Sequence, residues 1–202
     1  MFDKIINWLS GVITMPVATL NEVAKEKPAG LAFLVYTFVL ILTSIVAVYS
    51  GAQFSSYENS MLEIGFQFPL YYIALAMIPF GIISLFISTL LIHLFARLFG
   101  GKGQYWNLFS AYAFANFPMI INVPISFLLG FLGIVGGILS GLFGFALSIW
   151  ILVLQVIAIR ESHSLSTGMS ILTYLIQVVI LFAAVILVII AAVFTYIGAM
   201  QL

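Results

Sequence analysis

Thr89, His93 and Arg97 stand four residues apart in one apolar stretch, so on a helix they share a face. Polar and ionisable groups are costly in hydrocarbon and are the first place to look for function. Ser84 and Ser88 precede them on the same stretch. Later stretches carry Ser148 with Gln155, and Thr173 with Gln177, joined by the polar link Arg160-Glu161-Ser162-His163. Thr89, His93, Arg97, Gln155, Glu161 and His163 would together form a polar vestibule facing the cytoplasm. In the plainer reading, Arg97 and His93 snorkel to headgroups while the hydroxyls bond their own helix. His93, Glu161 and His163 are donors that suit zinc. No local ligand spacing joins them, so neither a metal nor a cofactor is expected.

A second constellation is Asn116-Phe-Pro118 and Asn122-Val-Pro124, an Asn-x-Pro pattern repeated after six residues. Each proline removes a helical hydrogen bond and frees the carbonyl four residues back. Broken helices line substrate sites in transporters, where a matching half-helix accompanies them. A kink repaired by a neighbouring helix or by the asparagine is the simpler alternative. Counted inward from the polar links, Asn116 and Gln177 both fall near the membrane midplane. Both are expected to point into the bundle and bond protein groups, whether each other or a carbonyl freed by Pro118. Gly133, Gly137 and Gly141, followed by Gly144 and Ser148, form a small-residue face expected to serve close helix packing.

Several chemistries are excluded. The chain has no cysteine, hence no disulfide, iron–sulfur cluster or thiolate nucleophile. No aspartate lies in an apolar stretch, which removes an aspartyl protease pair, and no His-Glu-x-x-His is present. Gly100-Gly101-Lys102-Gly103 lacks the upstream glycine and the following Ser/Thr of a phosphate loop and reads as a turn.

The elements that must hold these residues follow from composition. Of 202 residues, 64% are hydrophobic and 6% charged. A soluble domain carries about a quarter charged residues, so the solvent of this chain is lipid. Long continuous apolar runs, not alternating ones, predict an all-α bundle. The net charge of zero argues against nucleic acid as a partner. Spans are expected near residues 30–50, 70–97, 108–129, 137–159 and 170–198, with the turn of the long uncharged interval near Gly133, Gly136 and Gly137. Lys4, Lys25, Lys27, Arg97, Lys102 and Arg160 all lie in the first segment or in the links around Lys102 and Ser162. If basic residues stay cytoplasmic, each intervening interval crosses an even number of times. That predicts five spans in a cell membrane, with the N-terminus cytoplasmic and the C-terminus external. Glu58 and Glu63 would lie in an outer loop, Gly51 to Pro69, and Tyr105 and Trp106 in the inner aromatic belt. Residues 1–29 form a separate region ahead of the five-helix domain, 30–202. There Phe2, Ile5, Ile6, Leu9, Val12 and Ile13 repeat at the helical period, predicting an amphipathic helix lying in the interface. The segment has no basic n-region or cleavage site, so it does not read as a signal peptide.

The order of these features resembles the Yip family (Ypt-interacting protein domain), five-span membrane proteins found from prokaryotes to the eukaryotic Golgi. Three passages carry the likeness. They are Met15-Pro16-Val-Ala-Thr19-Leu-Asn-Glu22, the run Phe99 to Tyr105 leading into Ala111-Tyr112-Ala113-Phe-Ala-Asn-Phe117-Pro118, and Arg160-Glu161-Ser-His163-Ser-Leu165. The resemblance implies a five-helix fold and a tendency to self-associate or pair with relatives. The long soluble N-terminal region of eukaryotic members has no counterpart here, which suggests a prokaryotic relative. Eukaryotic members are associated with Rab GTPases and vesicle traffic, a role that does not carry over without a Rab partner. The expectation is a non-enzymatic membrane scaffold or organiser whose partners are the bilayer and another membrane protein or copy of itself. The alternative is a small-solute or ion transporter or channel using the broken third helix and the vestibule. An intramembrane enzyme has the least support.

Overall fold

Inside hydrocarbon a backbone must satisfy its own N–H and C=O groups, and this chain does so almost entirely with helices. A computed structural model describes residues 2–58 and 70–200. The order is α1 (Phe2–Thr14), α2 (Pro16–Glu26), α3 (Ala29–Glu58), α4 (Leu70–Leu98), α5 (Tyr105–Ala115), a 3-10 turn (Phe117–Ile121), α6 (Asn122–Gly130), α7 (Gly133–His163) and α8 (Thr167–Met200). Five segments are long and apolar enough to cross a membrane: Ala29–Val48, Leu75–Leu98, Tyr105–Gly130, Gly133–His163 and Thr167–Tyr196. The architecture is therefore an all-α bundle of five membrane helices preceded by short N-terminal helices. α3 continues to Glu58; Glu63 and most of the expected outer loop lie outside the described residues.

α5 sits at the centre. Every residue from Leu108 to Ala115 is buried, and the helix packs against α2, α3, α4 and α7. Lipid is as apolar as leucine, so hydrophobicity alone does not choose the inner helix; small residues that admit close backbones do. Ser110, Ala111, Ala113 and Ala115 supply that closeness, and Phe109, Tyr112 and Phe114 fill the gaps. Accordingly the third span is the least apolar of the five, while α8, the most apolar, sits at the edge on α4 and α7.

The third span is broken, not merely kinked. Asn116 N–H bonds the Ala113 carbonyl at 3.2 Å, tightening the last turn of α5, and Met119 N–H bonds the Asn116 carbonyl at 3.1 Å. Pro118 and Pro124 then fall in the first turns of the 3-10 segment and of α6. There a missing N–H leaves no bond unmade. The chain reverses at Phe131 and Leu132, and Gly133 enters α7 at φ 60°. Gly136, not the expected small-residue face, makes the tight contact of this turn. A Cβ there would overlap the Leu129 carbonyl. Gly137 and Gly141 point outward, and a Cβ on Gly141 would meet open space. Gly144 borders the Asn122 side chain, 3.7 Å from where its Cβ would stand.

The expected N-terminal helix forms over Phe2–Thr14, and a second helix that the sequence reading did not foresee turns back along it as an antiparallel pair. Pro16 opens α2, and Lys27, at φ 52° ahead of Pro28, closes it. Lys4 pairs with Glu26 at the open end, and Gly11 packs against Thr19 near the turn. Trp8, Val12, Leu20 and Val23 are buried within the main core. α2 lies along α5 and α7, so the helix pair packs into the core of the five-helix region.

Candidate functional site

The basic residues gather at one end of the bundle, where two links meet. Gly101 N–H bonds the Ala96 carbonyl at 2.8 Å as the chain leaves α4, with Gly100 at φ 85°. Lys102 N–H then bonds the His163 carbonyl at 3.0 Å. A Cβ on Gly103 would overlap the Ser162 carbonyl, and one on Gly101 would stand 3.0 Å from His163 Cβ. The glycines of Gly100-Gly101-Lys102-Gly103 thus let this loop clamp the end of α7. On the other side Ser164, at φ 55°, closes α7 and Leu165 N–H bonds the Arg160 carbonyl at 3.2 Å.

This clamp presses two imidazoles together. His93 Nδ1 and His163 Nε2 lie 2.9 Å apart, and Ser162 Oγ is 3.2 Å from His163 Nδ1. One ring nitrogen of the pair must donate and the other accept. Tyr105 packs edge-on against His93, and its hydroxyl lies 3.0 Å from Thr89 Oγ1, which also bonds the Leu85 carbonyl at 2.8 Å. His163 is buried and His93 half-buried.

The expected vestibule therefore assembles only in part. Thr89, His93 and His163 meet. Arg97 is exposed at the end of α4. Glu161 turns the other way, accepting from Asn21 Nδ2 at 2.6 Å and pairing with Arg160 at 2.8 Å. It does not complete a ligand set with the histidines, and among the described residues no group of three or more metal-ligating side chains occurs. Gln155 belongs to the broken helix: its Nε2 donates to Asn116 Oδ1 at 3.0 Å, while Asn116 Nδ2 donates to the Tyr112 carbonyl at 2.7 Å. Gln177 is buried and donates to Ser88 Oγ at 3.3 Å, away from Asn116. Asn122 Oδ1 accepts from Ser126 Oγ at 3.3 Å, and Ser126 lies 2.7 Å from Ser140 on α7. Pro118 is buried in the 3-10 segment, and Pro124 stands in the first turn of α6.

Sequence reasoning missed Asn21, Gln104 and Tyr105 as members of this inner cluster; Ser162 was part of the expected polar link. Lys27 Nζ reaches Gln104 Oε1 at 2.5 Å, so α2 is tied to both links. The repeated glycines around Lys102 were the legible signal, since a loop that dense in glycine has something close beside it.

The model of the Yip1 domain matches residues 10–190. The chain belongs to that family. The matched region starts inside α1, so it takes in the hairpin turn, both links and the broken third span of this Yip1 domain. The second and third passages that carried the resemblance meet in the clamp, and the first forms the hairpin turn. No curated protein and no solved structure matches the chain.

Proposed function

We propose that this Yip1-domain protein is a non-enzymatic scaffold or organiser of the membrane it spans. The observation that carries this reading is how its inward amides and imidazoles are used: they bond one helix to another, while buried hydroxyls such as Ser44 and Thr173 bond their own helix. Gln155 joins α7 to the broken span, Gln177 joins α8 to α4, and His163 joins α7 to α4. Asn21 and Lys27 fasten the N-terminal hairpin, and Ser140 fastens α6. Such bonds position helices and leave a rigid body with a lipid-facing surface. On that surface α7 presents Gly137, Gly141 and Ser148, where a second copy or another membrane protein can approach closely. The even crossings between basic clusters support a multi-pass orientation in the cell membrane with the basic end cytoplasmic and the C-terminus external.

Purified protein in liposomes tests the reading. Proton and small-ion flux should equal that of empty vesicles, and Gly141→Cys protein should crosslink to a second copy in native membranes. Flux that His93→Ala abolishes without loss of thermal stability would establish a transport path and replace the scaffold reading.

A further inference from the structure

We propose that α1 and α2 form a re-entrant hairpin whose turn, Ile13 to Val17, inserts among the acyl chains of the leaflet at the basic end. The hairpin runs beside a membrane span, not across its end. At its open end Lys27 bonds Gln104, one residue before α5. Further along, Trp8 stacks edge-on against Phe114 at 5.8 Å, and α1 also touches the 3-10 turn that follows. Phe114 lies ten residues beyond Gln104, roughly 15 Å along a helix at about 1.5 Å per residue. The two strands of contact therefore put the hairpin turn at a depth where the neighbouring spans have left the interface.

The side chains are partitioned accordingly. Asp3, Lys4, Glu22, Lys25, Glu26 and Lys27 all lie toward the open end, and no charge occurs from Ile5 to Asn21. Lys4 pairs with Glu26 and lies 5.2 Å over the Trp8 ring, so its charge is engaged within the hairpin. Met15 is 68% exposed, and Val17 and Ile13 are exposed beside it. Water would leave these three apolar side chains uncovered. The outward hydroxyls of α1 are turned back on the helix: Ser10 Oγ donates to the Ile6 carbonyl at 2.8 Å and Thr14 Oγ1 to the Ser10 carbonyl at 3.1 Å. That arrangement suits hydrocarbon, where no water would take those donors. At the turn, Met15 N–H bonds the Gly11 carbonyl and Thr19 N–H the Met15 carbonyl, and Pro16 has no N–H to satisfy. Trp8, Val12, Leu20 and Val23 face the bundle, so lipid is left the opposite side.

The inference is independent of the organiser reading, which flux and crosslinking decide. It is tested on the full chain, free of native cysteine, in phosphatidylcholine–phosphatidylglycerol vesicles, with nitroxide labels placed singly at Met15→Cys, Val17→Cys, Lys25→Cys and Leu90→Cys. Leu90 is an exposed mid-helix position on α4 and serves as the lipid reference. Power saturation should show Met15 and Val17 favouring dissolved oxygen as Leu90 does, with loss of the nickel-chelate accessibility seen at Lys25. A nickel-favoured profile at both turn positions, matching Lys25, would overturn the insertion. Protection from both reagents would overturn it too, since a protein surface would then cover the turn.

Discussion

At the scale of single residues, Asn116 and Gln177 are the same chemistry in different circumstances. Asn116 is engaged at both ends of its amide, donating to the Tyr112 carbonyl and accepting from Gln155. The Tyr112 carbonyl needs that donor, because the Asn116 N–H has turned to Ala113. Gln177 makes one long bond to Ser88, and its Oε1 has no partner among the described residues. Interhelical bonds of this kind average about 0.6 kcal/mol and reach about 1.7. Asn116→Leu should therefore lower stability by about 1–2 kcal/mol, because it also strands the Gln155 amide. Gln177→Met should stay within about 0.5 kcal/mol of the parent. Unfolding in mixed micelles by a denaturing detergent measures both, and equal losses would contradict this account of the two amides.

Elements are set by what each glycine faces. Gly136 carries the return from α6 into α7, with the Leu129 carbonyl where a Cβ would stand. Gly141, five residues later on the same helix, faces open space. Gly136→Ala must push α6 away from α7 and should cost about 1–3 kcal/mol as overpacking. Gly141→Ala should be neutral or slightly stabilising in the single chain, since alanine is the better helix former. Thermal melts of the two variants, measured in detergent dilute enough to keep chains apart, separate these outcomes. The turn and the packing contact follow one another along the chain: a reversal at Phe131-Leu132, a left-handed Gly133, and then Gly136 pressed on the preceding helix. The regular spacing of Gly133, Gly137 and Gly141 marks the neighbouring face, where Gly137 and Gly141 point outward.

For the whole molecule, the consequence to test is orientation. Lys25 and Lys102 are exposed at the basic end, and Phe131 is exposed in the reversal at the opposite end of the third span. Single cysteines at these positions should divide cleanly in intact cells. An impermeant maleimide should label Phe131→Cys from outside, and Lys25→Cys and Lys102→Cys only after permeabilisation. Ser162 is unsuited to this test because it is buried against the clamp. Labelling of Lys102→Cys from outside would reverse the proposed topology.

Sequence alone determined that the chain lives in lipid, that it is helical, and that it crosses five times. Those conclusions need only the scarcity of charge and the length of each apolar run, both one-dimensional quantities. It also showed where the third span breaks, because proline and asparagine act within one helical turn. Only the tertiary structure decided which faces meet. In hydrocarbon an apolar face gains little by packing on another, so periodicity does not reveal the interior. The deciding contacts are short and specific: the carbonyls that exclude a Cβ at Gly103 and Gly136, the imidazoles brought together across α4 and α7, and the amide of Gln155 on Asn116. The N-terminal helix periodicity was legible, but Trp8 among its inward residues and the second helix behind Pro16 were not. An amphipathic stripe looks the same whether it faces lipid or protein, and the partner that resolves the choice, α5, lies far along the chain.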